Sequence, residues 1–273
     1  MKPTLPKNGV AILGIPSDES SSYMRGPLLG PQRIRETMHC GSANMTTEQG
    51  HDLGTDPRWQ HVGDLTLTNG AEARDQITNG VANLLAQDVR VLSLGGDHAV
   101  TYPIMRAYAE KYPDLTIVQF DAHPDLYDEL DGNRYAHACP FARIMEAGLA
   151  KRLVQIGIRT MNRHQREQAE RFGVEVIEPW NLATMQLELE GAVYVSLDLD
   201  VLDPAYAPGV SHHEPGGLTS RELFQLIQML PTNNLVGADV VELNPHRDLV
   251  NMTAMVGAKC VKELLAHMLD SPT

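Results

Sequence analysis

Apolar residues gather along the chain in short runs of strand length: Val10-Ala11-Ile12-Leu13, Val91-Leu92-Ser93-Leu94, Leu115 to Phe120, Val154 to Ile158, Val193 to Leu197 and Leu235 to Val240. Between them, apolar positions recur at helical spacing over Ala71 to Gln87, Tyr102 to Lys111, Phe141 to Leu149, Asn162 to Phe172, Thr219 to Met229 and Met252 to Leu269. Runs without polar alternation suit strands buried on both faces. Their regular exchange with helices predicts βαβ units, hence an α/β fold with a mostly parallel sheet covered by helices on both sides. No repeat, low-complexity linker or charge block marks a boundary, so the 273 residues are expected to form a single domain over 1–273. The Gly- and Pro-rich stretch from Asp203 to Gly217 reads as a long functional loop.

Polar residues of one chemical kind stand where these strands should end. Asp121-Ala122-His123-Pro124-Asp125 follows one run, Asp198-Leu199-Asp200 closes another, His98 follows Leu94-Gly95-Gly96-Asp97, and Glu242 follows the last. In open parallel sheets, ligands gather beyond the carboxyl ends of the strands, so four motifs at equivalent positions point to one site. On an extended backbone, residues two apart face the same way, which would bring Asp121, His123 and Asp125 together, and likewise Asp198 and Asp200. With His98 the set has four carboxylates, two imidazoles and no thiolate. That chemistry suits Mn²⁺ or a related divalent ion better than a structural zinc. Two ions bridged by Asp121 and Asp198 would activate a water for metal-assisted hydrolysis without a protein nucleophile.

Each motif alone has an ordinary alternative: Asp-x-Asp as a turn or cap, a single His as a core residue, Glu242 as a helix-start carboxylate, His137 as a surface group. Acidic residues closing several apolar strands, however, are costly to bury without a cation. Gly95-Gly96-Asp97-His98 lacks the spacing and Lys of a phosphate loop, and its glycines better serve a tight turn. Glu242 could pair with a planar cation of a substrate and His137 could pass a proton to a leaving amine. His212-His213-Glu214 suits a pocket rim better than another metal site.

Net charge narrows the partners. With 35 acidic against 22 basic residues, a formal charge of -13, a nucleic-acid partner and an anionic membrane surface are not expected. The three cysteines, Cys40, Cys139 and Cys260, show no paired spacing and suggest a reducing compartment. The first residues carry no apolar stretch of signal-peptide length, and a cytoplasmic home is the resulting expectation.

The four segments Leu94 to His98, Asp121 to Asp125, Asp198 to Pro204 and Glu242 to Pro245 together resemble, in order, the signatures of the ureohydrolase family of arginases, agmatinases and related guanidino-hydrolases. Cys40 to Asn44, Phe141 to Glu146 and Gly209 to Gly217 are similar to the plant-type arginase branch. The resemblance covers nearly the whole chain. It implies a three-layer α/β/α sandwich, a homo-trimer or homo-hexamer, and two Mn²⁺ ions per subunit, with Ni²⁺ or Co²⁺ as alternatives. It further implies that His98, Asp121, Asp125 and Asp198 hold one metal and Asp121, His123, Asp198 and Asp200 the other. A hydroxide bridging the metals would add to the guanidinium carbon, Asp125 would relay its proton, Glu242 would clamp the guanidinium, and His137 would face substrate or shuttle protons.

The implied substrate is a small cationic guanidino compound, L-arginine first and agmatine second, with guanidinobutyrate and formimidoylglutamate as further options. A non-catalytic partner subunit and an amine deacetylase are rivals from other classes. The loop from Leu126 to Ala136 does not reproduce the Asn- and Ser-bearing loop of animal arginases. Within it, Asp128 is expected to draw an ammonium tail and Arg134 a carboxylate, unless their charges meet only water. His212 is expected at the substrate pocket.

Overall fold

The apolar runs become strands that are buried along almost their whole length. The computed structural model describes residues 5–271. It forms one sheet from β1 (Val10–Ile15), β2 (Trp59–Asp64), β3 (Arg90–Gly95), β4 (Thr116–Phe120), β5 (Arg152–Ile156), β6 (Glu175–Ile177), β7 (Val193–Asp198) and β8 (Leu235–Val241). The order is β2-β1-β3-β8-β7-β4-β5-β6, with every neighbouring pair parallel. The expected mostly parallel sheet is therefore wholly parallel among the described residues.

Helices cover both faces, as an all-parallel sheet requires. On one face Ile34 and Met38 of α1 (Gly30–Met38), Leu223 and Ile227 of α6 (Ser220–Gln228) and Val261, Leu264 and Leu265 of α7 (Met252–Asp270) join one core with Leu92, Val118, Val195 and Val240. On the other, α2 (Gly70–Leu85), α3 (Thr101–Lys111), α4 (Pro140–Glu146) and α5 (Arg163–Phe172) bring Ile77, Val81, Ile104, Tyr108, Phe141 and Ala169 against Leu13, Val91, Ile117 and Tyr194. Alternate residues of each strand thus feed opposite cores, giving the three-layer sandwich. Two helix starts are fixed by reciprocal capping boxes, Asn162 with Gln165 for α5 and Thr219 with Glu222 for α6. No helix among the described residues is long and apolar enough to cross a membrane.

Three elements lay outside the expected set. β2 and β6 are half-exposed edge strands, β2 largely polar and β6 only three residues long, so neither presents an apolar run. α1 begins Gly30-Pro31 and contributes only two large apolar residues, Ile34 and Met38, too few to reveal its period in sequence. The consequence for function lies at the middle of the sheet: β3, β8, β7 and β4 are consecutive neighbours, and their carboxyl ends open on one crevice.

Candidate metal centre and substrate pocket

Three of those four ends, those of β3, β4 and β7, leave the strand by a tight turn. Beyond β3, a side chain on Gly96 would run into the Ser17 carbonyl, so only glycine lets the two backbones meet. Asp97 then caps the turn His98–Val100 by accepting from Ala99 N. It also accepts from Ser20 N at 3.0 Å and Ser21 Oγ at 3.3 Å, tying the Ser20-Ser21-Ser22 loop to the crevice. Beyond β4, Asp121 accepts from His123 N at 2.6 Å, and beyond β7, Asp198 accepts from Asp200 N at 2.8 Å. These side-chain-closed turns correct the expectation of extended backbone: the ligands converge because each aspartate folds the chain back on itself, not because strand alternation continues. Asp125 (φ 49°) and Glu242 (φ 67°) both adopt left-handed backbone that non-glycine residues seldom hold, a strain found mainly at functional sites.

The result is a convergence of oxygens on one nitrogen. His98 Nδ1 lies 3.1, 3.1 and 3.2 Å from Asp121, Asp125 and Asp198 oxygens, and all four residues are buried. Despite that proximity, His98 Nδ1 makes no hydrogen bond of acceptable geometry. Close by, His123 Nδ1 lies 2.9 Å from Asp200 and 3.6 Å from Asp121. Two donor groups, His98-Asp121-Asp198 and Asp121-His123-Asp200, each fall within the span of a single ion, 4.8 Å. Gln119 Nε2 donates to Asp121 at 2.6 Å and is itself held by Gln155, which orients the carboxylate common to both.

Electrostatics asks for a cation here. Burial, with the Asp200 and Asp121 charges, pushes Asp198 well above the ordinary carboxylate range, and burial with Asp121 pushes Asp125 up to about 6. Burial opposes charge on His98, but Asp121, Asp125 and Asp198 outweigh it and push its pKa far up, so the cluster demands positive charge beside Nδ1. Hard oxygen donors with two imidazoles, an orphaned nitrogen and excess buried negative charge fit a pair of divalent ions.

A cavity of about 230 Å³ opens on this cluster. His123, Asp125, Asp198 and Asp200 form its floor; Ser22, His137, His212 and Glu242 form one wall; Tyr127, Leu130, Thr160 and Gln165 form its outer part. Glu242 accepts from His98 N at 2.9 Å and lies 3.5 Å from His137 Nδ1. His137 stacks on His212 at 4.7 Å, and its Nε2 is 2.8 Å from Ser22 Oγ. Burial works against charge on His137, but the Glu242 carboxylate prevails and pushes it up to about 9. A larger apolar groove of about 510 Å³ between residues 182–187 and α6 gathers no comparable polar cluster.

Asp128 and Arg134 do not line the cavity. Arg134 bonds Asp128 at 2.9 Å and Glu146 at 2.8 Å, and Arg143 donates to Asp128 at 2.8 Å. Their charges are directed at one another rather than into the cavity, so the expected grip on the substrate's tail would require these ion pairs to open. Ser22 and Gln119 were missed in sequence. A serine in a polar loop and a glutamine inside a strand carry no motif, and only the fold puts them against His137 and Asp121.

Residues 8–267 match the model of the arginase family. The chain belongs to the arginase family. It is 45% identical to arginase 1, mitochondrial, of Arabidopsis thaliana over 281 aligned residues, covering 96% of this chain and 82% of the relative. It is 36% identical to an agmatinase of Bacillus cereus, covering 96% and 93%. Among solved structures, an arginase from Medicago truncatula superposes with a TM-score of 0.88 at 44% identity, covering 96% of this chain and 87% of that one. This arginase-family chain thus has the expected α/β fold. The expected cytoplasmic home is overturned as a reading of this family's sequence pattern: the Arabidopsis arginases similar to this chain are named mitochondrial and chloroplastic/mitochondrial. The error has a physical reason. Transit peptides are amphipathic rather than apolar, so an apolar run is not the feature that distinguishes compartments here.

Proposed function

We propose that this chain is a metal-dependent ureohydrolase that hydrolyses L-arginine to urea and ornithine. The observation that carries the reading is the buried convergence of Asp121, Asp125, Asp198 and His98 at the floor of a pocket whose wall presents Glu242. Relatives 45% identical over most of the chain, all named arginases, support the choice of substrate. We read the metals as two Mn²⁺, one held by His98, Asp121, Asp125 and Asp198 and the other by Asp121, His123, Asp198 and Asp200. Bound there, they supply an activated water as nucleophile near neutral pH.

The chain's own residues do the rest. Glu242, held at one oxygen by His98 N, accepts from the guanidinium N–H groups and fixes the electrophilic carbon over the floor. Asp125, lining the cavity beside the other metal-type residues, would take a proton from the attacking water and pass it to the departing amine. His137, held by Ser22 and Glu242, lines the same cavity and would relay to the departing amine the second proton that the water sheds as it becomes the urea carbonyl. His212, stacked on His137, walls the same side. Assembly into a trimer or hexamer, implied by the family resemblance, is supported by Leu249, Val250, Met252 and Met255, which stand 70%, 89%, 43% and 38% exposed near the start of α7.

One observation favours agmatine as a second substrate: no Arg or Lys is among the residues lining the cavity to meet an α-carboxylate. Urea release from arginine, agmatine and 4-guanidinobutyrate, and formamide release from formimidoylglutamate, with Mn²⁺ and with a chelator, tests both. Metal-dependent urea with the highest kcat/KM on arginine is the expected outcome. A higher value on agmatine replaces the substrate, and silence on all four overturns the reading.

A further inference from the structure

Asp239 lies inside β8, fully buried in the centre of the sheet. Its partners are hydroxyls: Ser196 Oγ donates to Oδ1 at 2.7 Å, and Tyr194 OH and Thr101 Oγ1 donate to Oδ2 at 2.9 and 3.0 Å. Burial pushes its pKa up, while His98 and the three hydroxyls pull it back. Three donors converging on one carboxyl group fit its ionised, acceptor-only form.

That arrangement decides where the protons sit. Ser196 has one hydrogen, and Asp239 takes it. Ser196 Oγ therefore offers a lone pair to His98 Nε2 at 2.9 Å, which must carry the ring hydrogen. In the neutral imidazole, His98 Nδ1 is then the nitrogen with the free lone pair, and it is the one facing Asp121, Asp125 and Asp198 at 3.1–3.2 Å, where a divalent cation takes the place of a proton. The Phe141 ring stands edge-on to the imidazole, 5.2 Å between centroids at 85°, and restricts its rotation.

We propose that Ser196 and Asp239 are positioning residues: through the Ser196 hydroxyl, the buried Asp239 carboxylate holds His98 in the tautomer and ring orientation that presents Nδ1 to a divalent cation. The proposal rests on the reading of this cluster as a metal centre. Histidine ligands commonly donate their second nitrogen to such a partner, and loss of the partner weakens metal binding about 10–100-fold. Here the carboxylate acts at one remove, from the paired position on the neighbouring strand β8, with serine as the relay.

The experiment measures Mn²⁺ stoichiometry and affinity of the metal-free protein by competition with a fluorescent chelator, alongside its melting temperature in EDTA. Ser196→Ala is expected to weaken one of two bound equivalents by about 10–100-fold, leave the other at its wild-type affinity and lower melting, as loss of a buried hydrogen bond does. Ser196→Thr, which keeps the hydroxyl, restores the weakened equivalent. Tyr194→Phe, which removes a donor to Asp239 outside the relay, lowers melting without that selective loss. Unchanged affinities in Ser196→Ala, or equal weakening of both equivalents, overturn the relay while the metal centre stands. A wild-type protein that takes up no Mn²⁺, Ni²⁺ or Co²⁺ overturns the metal centre and the relay with it. Asp239→Asn adds to the test if it folds, but Ser196→Ala decides without it.

Discussion

The two histidines of the cluster are held in opposite ways. His98 is wholly buried in a turn directly after β3, backed by Ser196 and pressed by Phe141. His123 sits in the loop beyond β4 with 28% of its side chain exposed, lines the cavity and comes within 6.3 Å of His212. Both halves share Asp121, whose orientation is set from below by Gln119. The difference teaches that one site divides two demands. The buried half can retain a cation because its donors cannot relax into water, whereas the open half must leave room for substrate and solvent.

The sharpest test removes what the halves share. Asp121→Asn is expected to abolish both, with loss of several kcal/mol of transition-state stabilisation, or roughly a thousandfold in kcat/KM at about 1.36 kcal/mol per decade. Urea release and metal content of the same preparation check it; near-normal turnover would remove Asp121 from the centre. Next comes the contrast itself. His98→Ala leaves three buried carboxylates facing a void and should destabilise the metal-free protein by about 3 kcal/mol or more, the usual consequence of orphaning a buried charge. His123→Ala, at a partly exposed position, should change that stability by less than about 1 kcal/mol and keep one metal equivalent. Denaturant titration in EDTA separates the two, and equal losses would break the comparison.

Much of this asymmetry was hidden in the sequence, although its parts were visible. The six metal-type residues stood out because carboxylates at the ends of apolar runs are rare and costly, and β1, β3, β4, β7 and β8 were legible because burial on both faces leaves continuous apolar runs. The turns that gather the ligands were not, since Asp121 and Asp198 look the same whether the chain continues extended or folds back. Asp239 was illegible for a different reason: one acidic residue inside Leu235 to Val240 carries no spacing, and its partners come from β7 and the start of α3. β2 and β6 were lost because edge strands need no apolar run. The pairing of Asp128 and Arg134 was illegible because unpaired charge and paired charge read alike until Glu146 and Arg143 are seen beside them.

A smaller effect probes the cavity wall rather than its floor. Ser22 Oγ is the partner of His137 Nε2, so Ser22→Ala frees the imidazole to turn away from Glu242. One such bond is worth about 1 kcal/mol, or about fivefold in kcat/KM, carried mainly by kcat if His137 moves protons and by KM if it only touches substrate.

The smallest effect is expected at Arg134. Its guanidinium is occupied by Asp128 and Glu146 at the surface, and it does not reach the cavity. Arg134→Ala should leave KM for arginine within about twofold of wild type, because exposed ion pairs of this kind contribute little. If Arg134 instead took the substrate's carboxylate, its loss would raise KM for arginine while sparing agmatine, which has no carboxylate. Measuring both substrates on this one variant therefore decides whether the ion-pair network merely ties the 126–136 loop to α4 or swings open to grip the amino-acid end.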